Sequence, residues 1–185
     1  MMVPNTSSLL NWKERKPITE FTATTDKIVY KVAITPESKP ALIELKLPAY
    51  AARIEFKCLC QTKYGRYSLR KLGRASAVDV NDIWLLDQDL LADDPYALRE
   101  AQITPLAVAA FDLETVYQKG RHVTADAFDM SPVLRCSNGI HYFEEKNVAI
   151  CYAAYDSWFE CRVKDHIRQQ RDRVMNLWRK PEENS

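Results

Sequence analysis

The sequence predicts an α+β fold: a mostly antiparallel sheet with C-terminal helices packed on one side. Three observations predict it. Short stretches with apolar and polar residues at alternate positions recur from residue 28 to residue 143. Proline-bearing or polar loops separate several of them, as in hairpins. Helical spacing of apolar residues dominates only after Phe143. The chain has 185 residues, 46% of them hydrophobic, which suits one domain with a packed core. We divide it into an N-terminal arm (residues 1–20), an α+β domain (residues 21–160) and a basic C-terminal helix and tail (residues 161–185).

The arm is mostly polar, with a few apolar residues such as Leu9, Leu10 and Trp12, and it lacks the apolar core of a signal peptide. Residues 28–34 (IVYKVAI) read as a strand. Residues 41–47 (ALIELKL) alternate cleanly, and the loop TPESKP between the two makes a hairpin with one wet face. Residues 48–52 read as a short turn of helix. In residues 53–60 (RIEFKCLC), Ile54, Phe56, Cys58 and Cys60 share the apolar parity. Residues 63–71 (KYGRYSLRK) read as a basic turn around Gly65, and residues 74–80 as a short strand.

Residues 79–94 hold six aspartates and no Lys or Arg. Ile83, Leu86, Leu90 and Leu91 fit helical spacing there, so the stretch reads as an acidic amphipathic segment. It has neither the central glycine nor the closing glutamate of a calcium loop. Residues 113–117 read as a strand, Lys119-Gly120 as a turn, and Val123, Ala125 and Ala127 alternate after it.

The chain is organised around VLRCSNGIHYFEEKNVAICY, residues 133–152. We read it as strand, turn or bulge at Asn138-Gly139, strand, then helix. Glu144 and Glu145 fall in the first turn of that helix, and Val148, Cys151, Tyr152 and Tyr155 form its buried face. A last helix spans residues 161–180 with an apolar stripe of Val163, Ile167, Val174, Leu177 and Trp178. Seven basic side chains against Asp165 and Asp172 give it a net charge of +5.

Several function classes are weakened at this stage. The net charge of +1 and the absence of a basic, aromatic-interleaved motif argue against nucleic acid. No apolar run approaches a membrane span. Five cysteines, an odd number without a signal peptide, read as reduced thiols of a cytoplasmic protein. Cys58 and Cys60 lack further spaced ligands, and so does the pair Cys136 and His141, so no metal is expected. Cys136, His141 and Asn138 could serve as nucleophile, base and orienter if a bulge set them on one face; a buried His and a core Cys is the plainer reading.

Two resemblances stand out. Tyr30-Lys31-Val32, ALIELKLP, RKLGRASAVDV and YQKGRHVTADAFDMSPVLRCSNGIHYF are similar in order and spacing to an uncharacterised family of phages and large DNA viruses, often attached to pentapeptide repeats. The motif Cys-Ser-x-Gly-Ile-His-Tyr/Phe-Phe, here residues 136–143, is its specific part. The resemblance covers roughly residues 28–152 and implies a viral accessory protein acting in the host cell. Gly139-Ile140-His141-Tyr142-Phe143, followed by Asn147-Val148-Ala149 and Tyr152-Ala153, also resembles the NAD-holding segment of ADP-ribosyltransferase folds. That resemblance implies Tyr30, His141 and Glu160 as catalytic candidates and NAD or an ADP-ribose-like molecule as ligand. The first strand carries Tyr30-Lys31 where that family has His-Gly or Arg.

The function expected from all this is binding without chemistry, either of a host protein, so as to inhibit a host defence, or of a nucleotide-like ligand. The expected ligand-binding residues are Arg66, Arg70, Lys71, Arg74, His122, Asn138, Gly139, His141 and Tyr142: scarce glycines beside basic and aromatic residues. No resident cofactor is expected. The helix at 161–180 is a candidate for homo-oligomer contact.

Overall fold

The computed structural model describes residues 25–61, 67–86, 103–110, 112–131 and 137–178, and within these leaves aside the side chains of 58–61, 67–70, 155, 157, 158, 177 and 178. The arm at 1–20, Arg66, Cys136 and the acidic residues 87–94 lie outside it, as do the side chains of Cys58, Cys60 and Arg70.

Nine strands among the described residues form one antiparallel sheet: β1 (Lys27–Ile34), β2 (Pro40–Leu47), β3 (Arg53–Gln61), β4 (Tyr67–Ala75), β5 (Ala77–Leu85), β6 (Leu106–Ala109), β7 (Val116–Gln118), β8 (His122–Thr124) and β9 (Ile140–Phe143). Two helices follow, α1 (Lys146–Tyr155) and α2 (Ser157–Trp178). The spatial order is β3-β4-β9-β1-β2-β5-β8, with β6 and β7 added beside the end of β1. The sheet is α+β with its helices on one face, as its alternation requires.

Three strands separate β4 from β5 in that order, yet only Ser76 joins them in the chain. In a flat sheet four strand spacings would part them by about 19 Å. Two residues of chain span at most about 7 Å. The sheet therefore curls until its two halves meet at Ser76, where Ser76 N–H donates to Ala52 O and Ala125 N–H to Ser76 O.

The curl creates an inside and an outside. Val29, Ala33, Ile43, Leu45, Leu47, Val78, Ile83, Tyr117, Ile140 and Tyr142 fill the inside. Val32, Ile34 and Leu42 point outward and meet Ala149 and Ile150 of α1 and Phe159 and Val163 of α2. Odd positions of β1 face in and even ones face out, the period-2 pattern of a strand buried on both faces.

Several sequence expectations change. The 79–94 segment begins as strand, not helix: β5 runs to Leu85 and pairs with β2 from Ala41↔Leu85 to Lys46↔Asp79, so cross-strand pairing overrides the helical spacing. Residues 67–71 are strand rather than turn, because β4 pairs along nine positions with β3. Residues 48–52 form a turn closed by Ala51 N–H to Pro48 O, not helix. The 113–117 strand shifts to Val116–Gln118, after a turn in which Asp112 accepts from the Glu114 and Thr115 amides. The buried face of α1 centres on Ala149 and Ile150, while Val148, Cys151 and Tyr152 are half-buried. Glu145 is the cap residue before α1, and neither Glu144 nor Glu145 lies within it.

The last helix begins at Ser157 rather than residue 161, since Asp156 ends α1 and its carboxylate accepts from Phe159 N–H, capping α2. Its first half is anchored. Phe159, Val163 and His166 are buried, Arg162 Nε donates to Ala110 O at 2.8 Å, and His166 Nδ1 lies 2.9 Å from Ser38 Oγ in the β1–β2 turn. Beyond that the helix leaves the body: Ile167, Val174 and Met175 are about half exposed (51%, 51% and 49%). No described helix is long and apolar enough to cross a membrane.

Candidate functional site

The corner at Asn138-Gly139 is braced from below. Arg74 of β4 stands opposite His141 of β9. Its side chain is wholly buried, with Nε donating to Asp129 O at 3.0 Å and the far nitrogen to Ser131 O. The Asp129 carboxylate accepts from Ser131 N–H and from the Ser137 hydroxyl, and Asp129 N–H donates to Asn138 O. Ser137, and then Ser131, hold the Asp129 carboxyl below the usual carboxylate range. Gly139 sits at φ +140°, and a Cβ there would press on the Phe128 ring at 3.1 Å and the Arg74 stem at 3.3 Å. Arg74, Asn138, Gly139 and His141 thus come together, as parts of one hydrogen-bonded corner.

The other expected residues are dispersed. Lys71 is half-buried and pairs loosely with Glu145 at 3.8 Å. His122 lies on β8 at the edge of the sheet, its Nδ1 2.7 Å from Asp79. Tyr142 turns inward, buried, with its ring over Gly73. Tyr30 is half-buried on the helix side and packs against the outer core. Glu160 lies exposed on α2, 2.9 Å from Lys164. His141 is half-buried; desolvation first, then the charges of Lys31 and Arg74, lower its pKa to about 4, so the imidazole is neutral at pH 7.

The inner wall of the curl holds a set of charges that the sequence does not announce. Arg53 and Glu55 project inward from β3, opposite Ala75 and Gly73 of β4. They are 5% and 7% exposed. Glu55 Oε1 accepts from Lys27 Nζ at 2.6 Å and from the Tyr142 hydroxyl at 3.4 Å. Lys27 also reaches Glu144 at 3.3 Å and stands at the rim, its side chain 32% exposed. Burial first, then the Glu55 charge, pushes the Tyr142 hydroxyl pKa up, and the Arg53 charge opposes this. Nε and Nη1 of Arg53 are buried without a hydrogen-bond partner.

Further along, Lys31 faces the same interior. Its ammonium donates to His141 O at 2.9 Å and lies 5.7 Å from the centre of the Tyr117 ring. Burial lowers its pKa to about 8 against the opposing charge of Asp112. The inner wall therefore carries three cations, Lys27, Lys31 and Arg53, with the carboxylates of Glu55 and Glu144 on Lys27 and the charge of Asp112 acting on Lys31. It offers hydrogen-bond donors to an anionic group, with tyrosine rings beside them. No group of three or more His, Cys, Asp or Glu among the described residues could hold a metal.

Sequence reasoning missed Lys27, Lys31, Arg53 and Glu55. One signal was available: Lys31 interrupts the otherwise apolar parity of Val29 and Ala33. Arg53 and Glu55 gave none, because they occupy the polar parity of β3, which reads as solvent-facing.

A model for a family of unknown function (DUF5758) matches residues 1–149. The chain belongs to this family. The DUF5758 match takes in every strand of the sheet and ends inside α1, so the whole inner wall falls within it and α2 falls beyond it. No curated protein and no solved structure matches the chain.

Proposed function

We propose that this DUF5758 chain acts by binding, and that its ligand is a small nucleotide-like anion taken into the curl of the sheet. One observation supports this above the rest: Lys31, Arg53 and Glu55 are buried on the inner wall, where an apolar filling would stabilise the fold more. Buried charge without full pairing is concentrated where proteins bind or react. The resemblance of residues 136–143 to phage and large-DNA-virus sequences supports an accessory protein that interferes with a host defence, by sequestering such a ligand. The ligand set then becomes Lys27, Lys31, Arg53 and Glu55 inside the curl, with the Asn138–His141 corner and its Arg74 brace as the support of β9.

Isothermal titration of the purified chain with NAD, ADP-ribose and cyclic nucleotides tests this. A saturable 1:1 heat with one of them is expected. No heat from any of the three sinks the nucleotide reading. NAD turnover, abolished by substitution of Tyr30, His141 or Glu160, would replace binding by an ADP-ribosyltransferase activity.

A second reading has its own observation. The outer half of α2 exposes Ile167, Val174 and Met175 among Arg168, Arg171 and Arg173. That surface suits a protein partner, a host protein or a second copy of the chain.

A further inference from the structure

We propose that Arg53 is the seat of an oxyanion, so that the ligand enters the curl with a phosphate or carboxylate group against this guanidinium. This deepens the reading of the curl as a ligand site and rests on it. Arg53 is 5% exposed, and two of its three guanidinium nitrogens are buried with no hydrogen-bond partner. A buried donor left empty is costly, and a buried charge more so. The nearest carboxylate along its own strand face does not relieve it, since Glu55 Oε1 already receives Lys27 and Tyr142. Arg53 shares its face of β3 with Glu55, which accepts from the Tyr142 hydroxyl, so the guanidinium lies on the same side of the sheet as that ring. Its strand partner is Ala75, a small and fully buried side chain. Lys27 at the rim is taken up by Glu55 and Glu144, and Lys31, deeper in the wall, is the second cation that faces the interior. A guanidinium fork closes on two oxygens of a planar or tetrahedral oxyanion, a geometry a lysine ammonium cannot reproduce.

The test uses the full chain, with inorganic phosphate, acetate and AMP as separate probes at ionic strength held constant with sodium chloride. Two signals are followed: the Arg53 Nε–H resonance in ¹⁵N-edited NMR and the melting temperature. At least one oxyanion is expected to move the resonance saturably and raise Tm. Arg53→Met is expected to abolish both responses and to raise the ligand-free Tm, because a buried unpartnered cation has gone; an arginine with a purely structural role would lower it. Should Arg53→Met fail to fold, Arg53→Lys decides: it keeps the charge but is expected to bind at least about tenfold more weakly. Phosphate and AMP acting together support a phosphate ligand. Acetate acting alone supports a carboxylate ligand and sinks only the nucleotide reading. A response equal in chloride, or none from either phosphate or acetate, overturns the seat and leaves a trapped water as the occupant of Arg53. Nucleotide binding that survives intact in Arg53→Met also overturns it, while sparing the function proposed above.

Discussion

At Gly73 the backbone of β4 passes directly beneath the ring of Tyr142, and any Cβ would run into that ring. Tyr142 in turn donates to Glu55, so the space at Gly73 sets the position of the inner wall. Gly73→Ala is expected to cost about 1–3 kcal/mol by overpacking, read as a lower denaturation midpoint. Lys31 makes a second prediction at this scale. Its pKa is about 8 in the fold, below its ordinary 10.5, so the unfolded chain binds more protons between those values. Stability from this group therefore rises as pH climbs from about 8 toward 10, and at pH 7 its full penalty, on the order of 3 kcal/mol, is present. Lys31→Met is expected to stabilise the chain at pH 7 and to flatten that rise in a urea titration series. Such residues show where sequence reading stops. The parity of β1, β2 and β9 and the bend at Gly139 are legible in the apolar pattern. The inward turn of Arg53 and Glu55 is not, because alternation tells which residues share a face and says nothing of whether a curl will close over it.

Among the elements, α2 divides into two unequal parts. Phe159 and Val163 lie in the outer core, and His166 is buried against Ser38. Phe159→Ala is expected to lower stability by about 3–5 kcal/mol, seen as an earlier thermal transition. Removing residues 171–185 is expected to leave the transition almost where it was, since the described residues 171–176 are all exposed. Light scattering on the same truncation tests assembly: an unchanged mass excludes oligomerisation through this helix. The alternation in the β1–β2 hairpin was legible because each strand carries its own pattern. The strand character of β5 was hidden, because Ile83 and Leu86 also satisfy a helical period and only pairing with β2 decides between them.

For the molecule as a whole, acid is the informative stress. His141 and His166 both have pKa values below the ordinary 6.5, in each case first through burial. The unfolded chain thus takes up protons before the folded one does. Their contribution to stability is complete above about pH 6.5 and is lost as pH falls, through about 4 for His141. A denaturation series from pH 7 to pH 4.5 is expected to show a fall of up to about 1.4 kcal/mol per pH unit for each histidine, and His141→Gln is expected to make the decline shallower.

The place of β1 at the centre of the sheet carries a consequence for how the chain is made. β2 lies next to β1 in sequence, but the other flank of Tyr30 is Phe143, 113 residues downstream. A ribosome adding roughly 5–20 residues per second needs about 6–23 s to cover that distance. Throughout that interval the Tyr30 end of β1 shows a bare edge, open to any neighbouring strand, since β6 covers only Ala33 and Ile34. Successful production of this protein should depend on a chaperone that shields the edge until β9 emerges, and raising the level of such a chaperone should raise the yield of native chain.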